Sequence, residues 1–83
     1  MIGSLNVCIA GAGTIGPALG QVLAEKENLR VSLLSVEADV VNDINKQHIN
    51  PAYFPQIRLN PALTASMDNN LLKDAAIVFL AIP

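Results

Sequence analysis

Val7-Cys8-Ile9-Ala10-Gly11-Ala12-Gly13-Thr14-Ile15-Gly16 is the stretch whose reading decides the fold. An apolar run, Leu5 to Ala10, meets a G-x-G-x-x-G turn, and an amphipathic pattern follows at once. The near-continuous apolar run fits a strand covered on both faces, as in a parallel sheet. Gly11 lets the chain turn sharply off that strand, where a β-carbon would clash. At Gly13 the missing side chain admits a pyrophosphate close to the backbone, and Gly16 lets the new helix lie against the strand. The first amides of that helix have no partners within it, so an anion can satisfy them at the positive end of the dipole. A lone glycine motif is weak, because many such turns are only loops. Strand before and helix after supply the context that a dinucleotide turn requires. Gly11, Ala12, Gly13, Thr14, Ile15 and Gly16 are therefore candidate cofactor contacts.

Outward from the turn, the first helix is expected to begin within Thr14 to Gly16 and to run to about Glu27. Ile15, Leu19, Val22 and Leu23 fall on one stripe that should face the sheet. Pro17 lies in the first turn, where its missing N–H costs nothing. Asn28 is a plausible left-handed stop. A second strand spans Leu29 to Leu34 or Ser35, and a single intervening helix forces parallel pairing through a right-handed crossover. The second helix is expected over about Asp39 to Gln47, with Asp39 capping or charging its start and Val40, Val41 and Ile44 buried.

Three prolines, Pro51, Pro55 and Pro61, argue against a regular element over Ile49 to Pro61, so this segment reads as an ordered surface loop pinned by Tyr53 and Phe54. A short third strand follows at Leu63 to Ala65. Ser66-Met67-Asp68 then opens a brief helix through Leu72 or Lys73. Ala76 to Ile82 is a wholly apolar fourth strand. The order βαβαβαβ is the first half of a doubly wound α/β parallel sheet of Rossmann type, with strands ordered 3-2-1-4. Strand four would then pair on one side only, leaving an apolar edge that invites association.

Size and composition narrow the function. With 83 residues, 52% of them hydrophobic and 14% charged, the chain is too apolar for a disordered tail and small for a free-standing domain. Its mean hydropathy is +0.43. The longest apolar run is shorter than the ~20 residues a membrane helix needs, and the start lacks the features of a secretory signal, so a cytoplasmic location follows by default. The net charge is −2 and the five basic residues are scattered, which argues against nucleic acid as a partner. Cys8, the single cysteine, reads as a small buried apolar residue of the first strand. No cluster of ligands suggests a metal.

The chain resembles the N-terminal segment of NAD(P)-dependent glycerol-3-phosphate dehydrogenases. The likeness covers nearly the whole chain and rests first on Ile9 to Leu19. More specific is Ile44-Asn45-Lys46-Gln47-His48-Ile49-Asn50-Pro51-Ala52-Tyr53-Phe54-Pro55-Gln56-Ile57-Arg58-Leu59, a segment that generic dinucleotide folds lack. Leu63 to Asp68 and Val78 to Pro83 complete it. The resemblance implies a nicotinamide cofactor, NAD or NADP, and reduction of dihydroxyacetone phosphate to glycerol 3-phosphate for glycerophospholipid synthesis. It implies cofactor contacts at Thr14 and Ile15, at the tip of strand two, and at Tyr53. Family members often carry an aromatic residue where this chain has Ile15, and many carry Arg where it has Val36.

The tip of strand two bears on cofactor choice. An Arg there would face a 2′-phosphate, whereas an acid would accept hydrogen bonds from a bare ribose. Ser35 and Val36 occupy the tip, and Glu37 stands about 20 residues past Gly16, the spacing of a ribose-binding acid. Glu37 can equally bias the start of the second helix. The balance leans to NAD.

No catalytic residue is assigned. In the family, lysines beyond this segment act on the substrate, and Lys26, Lys46 and Lys73 do not fall where that pattern would place them. His48 is read as ending the second helix, beside the proline segment. The expectation is thus residues 1–83 as the N-terminal part of an NAD(P)-binding domain, partnered by an absent C-terminal catalytic domain or a second copy. A stand-alone nucleotide-binding or interaction module is the alternative, as is the first half of another hydroxyacid or opine-type dehydrogenase. The Asn50 to Leu59 segment favours the glycerol-3-phosphate family.

Overall fold

Six residues of near-unbroken apolar sequence, Leu5–Ala10, form β1, and the rest of the sheet is built outward from it. A computed structural model describes residues 5–13, 15–51 and 54–81, with the backbone alone for 54–57. From the turn after β1 the chain enters α1 (Ile15–Leu23) and returns as β2 (Leu29–Leu34). It continues through α2 (Ala38–Gln47), β3 (Ile49–Asn50), β4 (Phe54–Arg58), β5 (Thr64–Ser66), α3 (Asn70–Asp74) and β6 (Ile77–Leu80). Four strands make one parallel sheet ordered β5-β2-β1-β6, the 3-2-1-4 arrangement expected from the sequence. Leu5 pairs with Leu29, Val7 with both Val31 and Ile77, and Leu33 with Ala65.

Strand alternation sends Val7, Ile9, Val31, Leu33 and Ala65 to one face. There they join Val40, Ile44, Leu59 and Leu63 in the core, with Leu19, Leu23 and Val41 packed around them. Asn6, Cys8, Ser32 and Thr64 turn to the other face, where the Ser32 and Thr64 hydroxyls are 3.1 Å apart. The short α3 serves that second face, and the Asn6 side-chain amide donates to the Asp74 carbonyl at 3.3 Å. All four residues of β6 are exposed, Leu80 most of all at 75%. Its apolar edge is therefore open among the described residues, as the sequence implied.

Several expectations are corrected. The proline segment contains a two-stranded antiparallel ribbon, β3 with β4, rather than only a loop. A strand in such a ribbon has one unpaired edge, so Pro55 is tolerated there, and the register shifts between its two pairs, Ile49 with Arg58 and Asn50 with Phe54. The ribbon is closed by the Leu59 N–H on the His48 carbonyl at 2.6 Å, and Leu59 is buried in the core. The ring of Phe54 and all of Tyr53 lie outside the described residues.

α1 stops at Leu23, short of Glu27. Its last turn tightens, with Glu25 and Lys26 bonding three residues back to Val22 and Leu23. Asn28 is not left-handed; among the described residues the non-glycine residue with positive φ is His48 (φ 58°), which caps α2 and donates its N–H to Ile44 O. The stripe of α1 is also rotated from the hydrophobic count. Gly16, Pro17 and Gly20 are buried, whereas Ile15 and Val22 are exposed. Two glycines one turn apart give a flat surface that packs closer than branched side chains can, so contact distance overrides hydrophobicity. α2 begins at Ala38, and Asp39 sits in its first turn without capping it; the cap position belongs to Glu37, which makes no side-chain cap bond. β5 is displaced one residue from Leu63–Ala65. α3 starts only at Asn70, because the Asp68 amide donates to Ser66 Oγ and its own Oδ1 accepts from the Asn70 amide. β6 is shorter than Ala76–Ile82, and Ile82 and Pro83 lie outside the described residues.

Candidate functional site

β1 is flanked by β2, which follows it as the chain winds outward to β5, and by β6, where the winding reverses. In open parallel sheets a ligand crevice forms beyond the carboxyl ends of the strands at that switch point. The glycine turn occupies this place. Gly11 takes φ 123°, a conformation that suits glycine, and its amide donates to Leu34 O at 2.9 Å. On the other side the Ala81 amide donates to Ala10 O at 2.9 Å. A β-carbon on Gly16 would overlap the Gly11 carbonyl oxygen and come within 2.9 Å of the carbonyl carbon. Gly16 thus draws the start of α1 directly against the turn. No acidic residue lies in the first turn of α1, so no carboxylate of that turn neutralises the helix end.

The turn residues divide by role. The Gly11 amide is already committed to the sheet. The Ala12 side chain is buried in the core, so Ala12 can offer a ligand only its backbone. Gly13 is half-buried. The side chain of Ile15, expected in the core stripe, is 68% exposed at the mouth of the turn. Thr14 lies outside the described residues, as does Tyr53.

Beyond β2 the tip is organised by Ser35. It is buried, its amide donates to Ser66 O at 3.0 Å, and its Oγ accepts the Glu37 amide at 3.1 Å. That short turn leaves Val36 90% exposed and Glu37 exposed one residue before α2. Since Ala10 pairs with Leu34, the tip and the glycine turn are neighbours at one end of the sheet.

Two asparagines escaped the sequence reading. The Asn45 side chain on α2 donates to Ala65 O and accepts from Ala65 N, both at 2.8 Å, and so behaves as a strand beside β5. Asn50 on β3 is fully buried and its Nδ2 donates to Ala12 O at 2.8 Å, 38 residues away, with Gly13 O at 3.5 Å. Both bond to backbone atoms distant in sequence, for which a single sequence holds no local signal. His48 is partly buried and its Nδ1 has no partner among the described residues. Cys8 is buried, and burial pushes its thiol above the ordinary value. Among the described residues no three metal-ligating side chains gather, and no helix is long and apolar enough to cross a membrane. A groove of about 410 Å³ lies on the second sheet face, lined by Asn6, Cys8, Arg30, Ser32, Thr64 and Asp74 among others, away from the turn.

A parallel sheet with a glycine turn at its switch point and a helix aimed at that turn defines the dinucleotide-binding class of α/β fold. Within that class, the chain belongs to the family described as NAD-dependent glycerol-3-phosphate dehydrogenase N-terminus, which matches residues 6–83. A curated glycerol-3-phosphate dehydrogenase (NAD(P)+) of Desulfovibrio desulfuricans is 39% identical over 83 residues, 100% of this chain and 24% of that protein. The solved glycerol-3-phosphate dehydrogenase of Coxiella burnetii superposes with a TM-score of 0.80 at 31% identity, covering 93% of this chain and 24% of that one. The enzyme of Saccharomyces cerevisiae gives 0.83 at 27% identity, covering 96% and 26%. The chain therefore spans about a quarter of the length of the relatives it matches.

Proposed function

We propose that residues 1–83 are the first part of the nicotinamide-dinucleotide-binding domain of a glycerol-3-phosphate dehydrogenase. In that reading the whole protein works in the cytoplasm and reduces dihydroxyacetone phosphate to glycerol 3-phosphate for glycerophospholipid synthesis. The observation that carries the proposal is the contact of Gly16 with the Gly11 carbonyl, which packs an uncompensated helix N-terminus onto the glycine turn. The bound cofactor supplies a hydride.

This chain's own residues bind and orient the cofactor. The backbone from Ala12 to Ile15 takes the pyrophosphate, with Gly11 and Gly16 shaping the turn. Ser35, Val36 and Glu37 form the floor for the adenosine ribose, and the resemblance to the family adds Tyr53 as a cofactor contact. Glu37 without a neighbouring Arg favours a bare 2′-hydroxyl, hence NAD over NADP. The acid and electrostatic work on the substrate falls to residues outside this stretch. The open apolar edge of β6 suits a further strand from a longer chain or from a second copy.

Calorimetric titration of NADH and NADPH into the chain and into Gly13→Val tests the reading. Binding by the parent and its loss in the variant, with helix content by circular dichroism retained, is the expected outcome. Equal affinity in both would remove the turn from the site.

A further inference from the structure

Resting on that assignment of the turn, we infer that Asn50 is a positioning residue that holds the Ala12–Gly13 peptide so that its N–H faces the anion. A trans peptide is planar, with its C=O and N–H pointing to opposite sides. The Asn50 amide draws the Ala12 carbonyl toward the ribbon through a 2.8 Å bond, which directs the Gly13 N–H away from the ribbon. Gly13 O lies 3.5 Å from the same nitrogen, so one buried donor faces both carbonyls of this part of the turn. Gly11 cannot supply this amide, because its N–H is spent on Leu34. Without a tether, a peptide leading into glycine rotates freely, and ordering it would be charged against ligand binding. A donor fixed in advance avoids that loss.

The other half of the same side chain supports the inference. Asn50 Oδ1 is buried and has no hydrogen-bond partner among the described residues. Such an orphan is destabilising, and an apolar residue would not carry it. The Nδ2 donor is the feature that an apolar side chain cannot replace. Asn50 belongs to β3 of the ribbon, so its bond to Ala12 O ties the ribbon to the glycine turn.

Asn50→Asp tests the donor directly. A protonated Asp at this position donates to Ala12 O, whereas an ionised one repels it. Titration uses ADP-ribose, which carries the diphosphate bridge, under conditions where circular dichroism shows each protein folded. Burial against the Ala12 and Gly13 carbonyls raises an introduced carboxyl above its ordinary range. Affinity of N50D should therefore be near that of the parent at about pH 5 and at least about tenfold weaker at about pH 8. The parent carries His48 too, so its profile over the same range corrects for that neighbouring titratable group. Parallel profiles for parent and variant would overturn the inference.

A second measurement needs no variant. In the ¹⁵N-labelled parent, the Asn50 Nδ2 protons should exchange slowly with water, and ADP-ribose should shift the Gly13 amide strongly. Solvent-rate exchange at Nδ2, or an unmoved Gly13 amide in a chain that binds ADP-ribose, overturns the tether alone. Failure of the parent to bind ADP-ribose at all overturns the site assignment, and the tether with it.

Discussion

Gly16 sits so close beneath the turn that any side chain on it would collide with the carbonyl oxygen of Gly11. Backbone cannot move aside as a flexible side chain can. Gly16→Ala is therefore expected to destabilise the chain by about 2 kcal/mol or more, beyond the ~1 kcal/mol that alanine gains in helix propensity. Gly20 gives the contrast: its added β-carbon would meet the Leu63 methyl groups at 2.9 and 3.3 Å, the far end of a side chain that can yield. Gly20→Ala should fall within about 1 kcal/mol of the parent, because the propensity gain offsets the displacement of Leu63. Urea denaturation checks the order; equal midpoints for the two variants would contradict it.

How far this architecture is legible in the sequence depends on what kind of force sets each part. The parallel sheet and its strand order follow from apolar runs and from the strand–turn–helix context of Gly11 to Gly16, both local signals. The orientation of α1 does not, because hydrophobicity counts Ile15 and Val22 as core and gives no weight to the close approach of Gly16 and Gly20. Pro55 concealed the ribbon, since a proline rule derived from central strands fails in a two-stranded one. The roles of Asn45 and Asn50 were hidden for a different reason. Their partners are backbone atoms of Ala65 and Ala12, 20 and 38 residues away, and any polar residue at these positions would have read as solvent-facing.

Asn45 protects the outer strand. β5 lies at the sheet edge, and the Asn45 side chain satisfies both the donor and the acceptor of Ala65. Asn45→Ala leaves two backbone groups without that partner and should cost about 1–3 kcal/mol. Asn45→Asp retains the acceptor for the Ala65 amide but turns a second oxygen toward Ala65 O, so it should be at least as damaging as alanine. Hydrogen exchange reads the effect at its source: the Ala65 amide should lose protection in N45A, and retained protection there would refute the arrangement.

Cys8 gives a pH dependence with a definite sign. Its thiol is raised above the ordinary value by burial, so the folded chain keeps the proton to higher pH than the unfolded chain does. The stability it contributes is complete below the unfolded thiol's pKa and is lost as pH rises through the folded one. Cys8→Ala should flatten the decline in unfolding free energy across about pH 8 to 10, at the expense of lower stability at neutral pH from the lost packing. In the parent, alkylation by iodoacetamide should require denaturant. Rapid labelling of the native chain would show that Cys8 is more accessible than its 1% exposure implies.

The proposed ribose floor predicts that cofactor choice moves at two adjacent exposed residues, Val36 and Glu37, without disturbing the fold. Val36 projects from the tip of β2 at 90% exposure, and the Glu37 side chain makes no capping bond with α2, so replacing either should change stability by no more than about 0.5 kcal/mol. Val36→Arg places a guanidinium where a 2′-phosphate would lie, and NADPH affinity should rise about tenfold with little change for NADH. Glu37→Gln removes the charged acceptor for the ribose hydroxyls, and NADH affinity should fall about three- to tenfold while NADPH affinity holds or improves. The competing role for Glu37, stabilising the start of α2 through its charge, predicts something else: a lower melting temperature and equal losses for the two cofactors. Parallel titrations of NADH and NADPH, with a thermal melt of each variant, separate the two. A Glu37→Gln variant with an unchanged NADH to NADPH ratio would assign this acid to the helix alone.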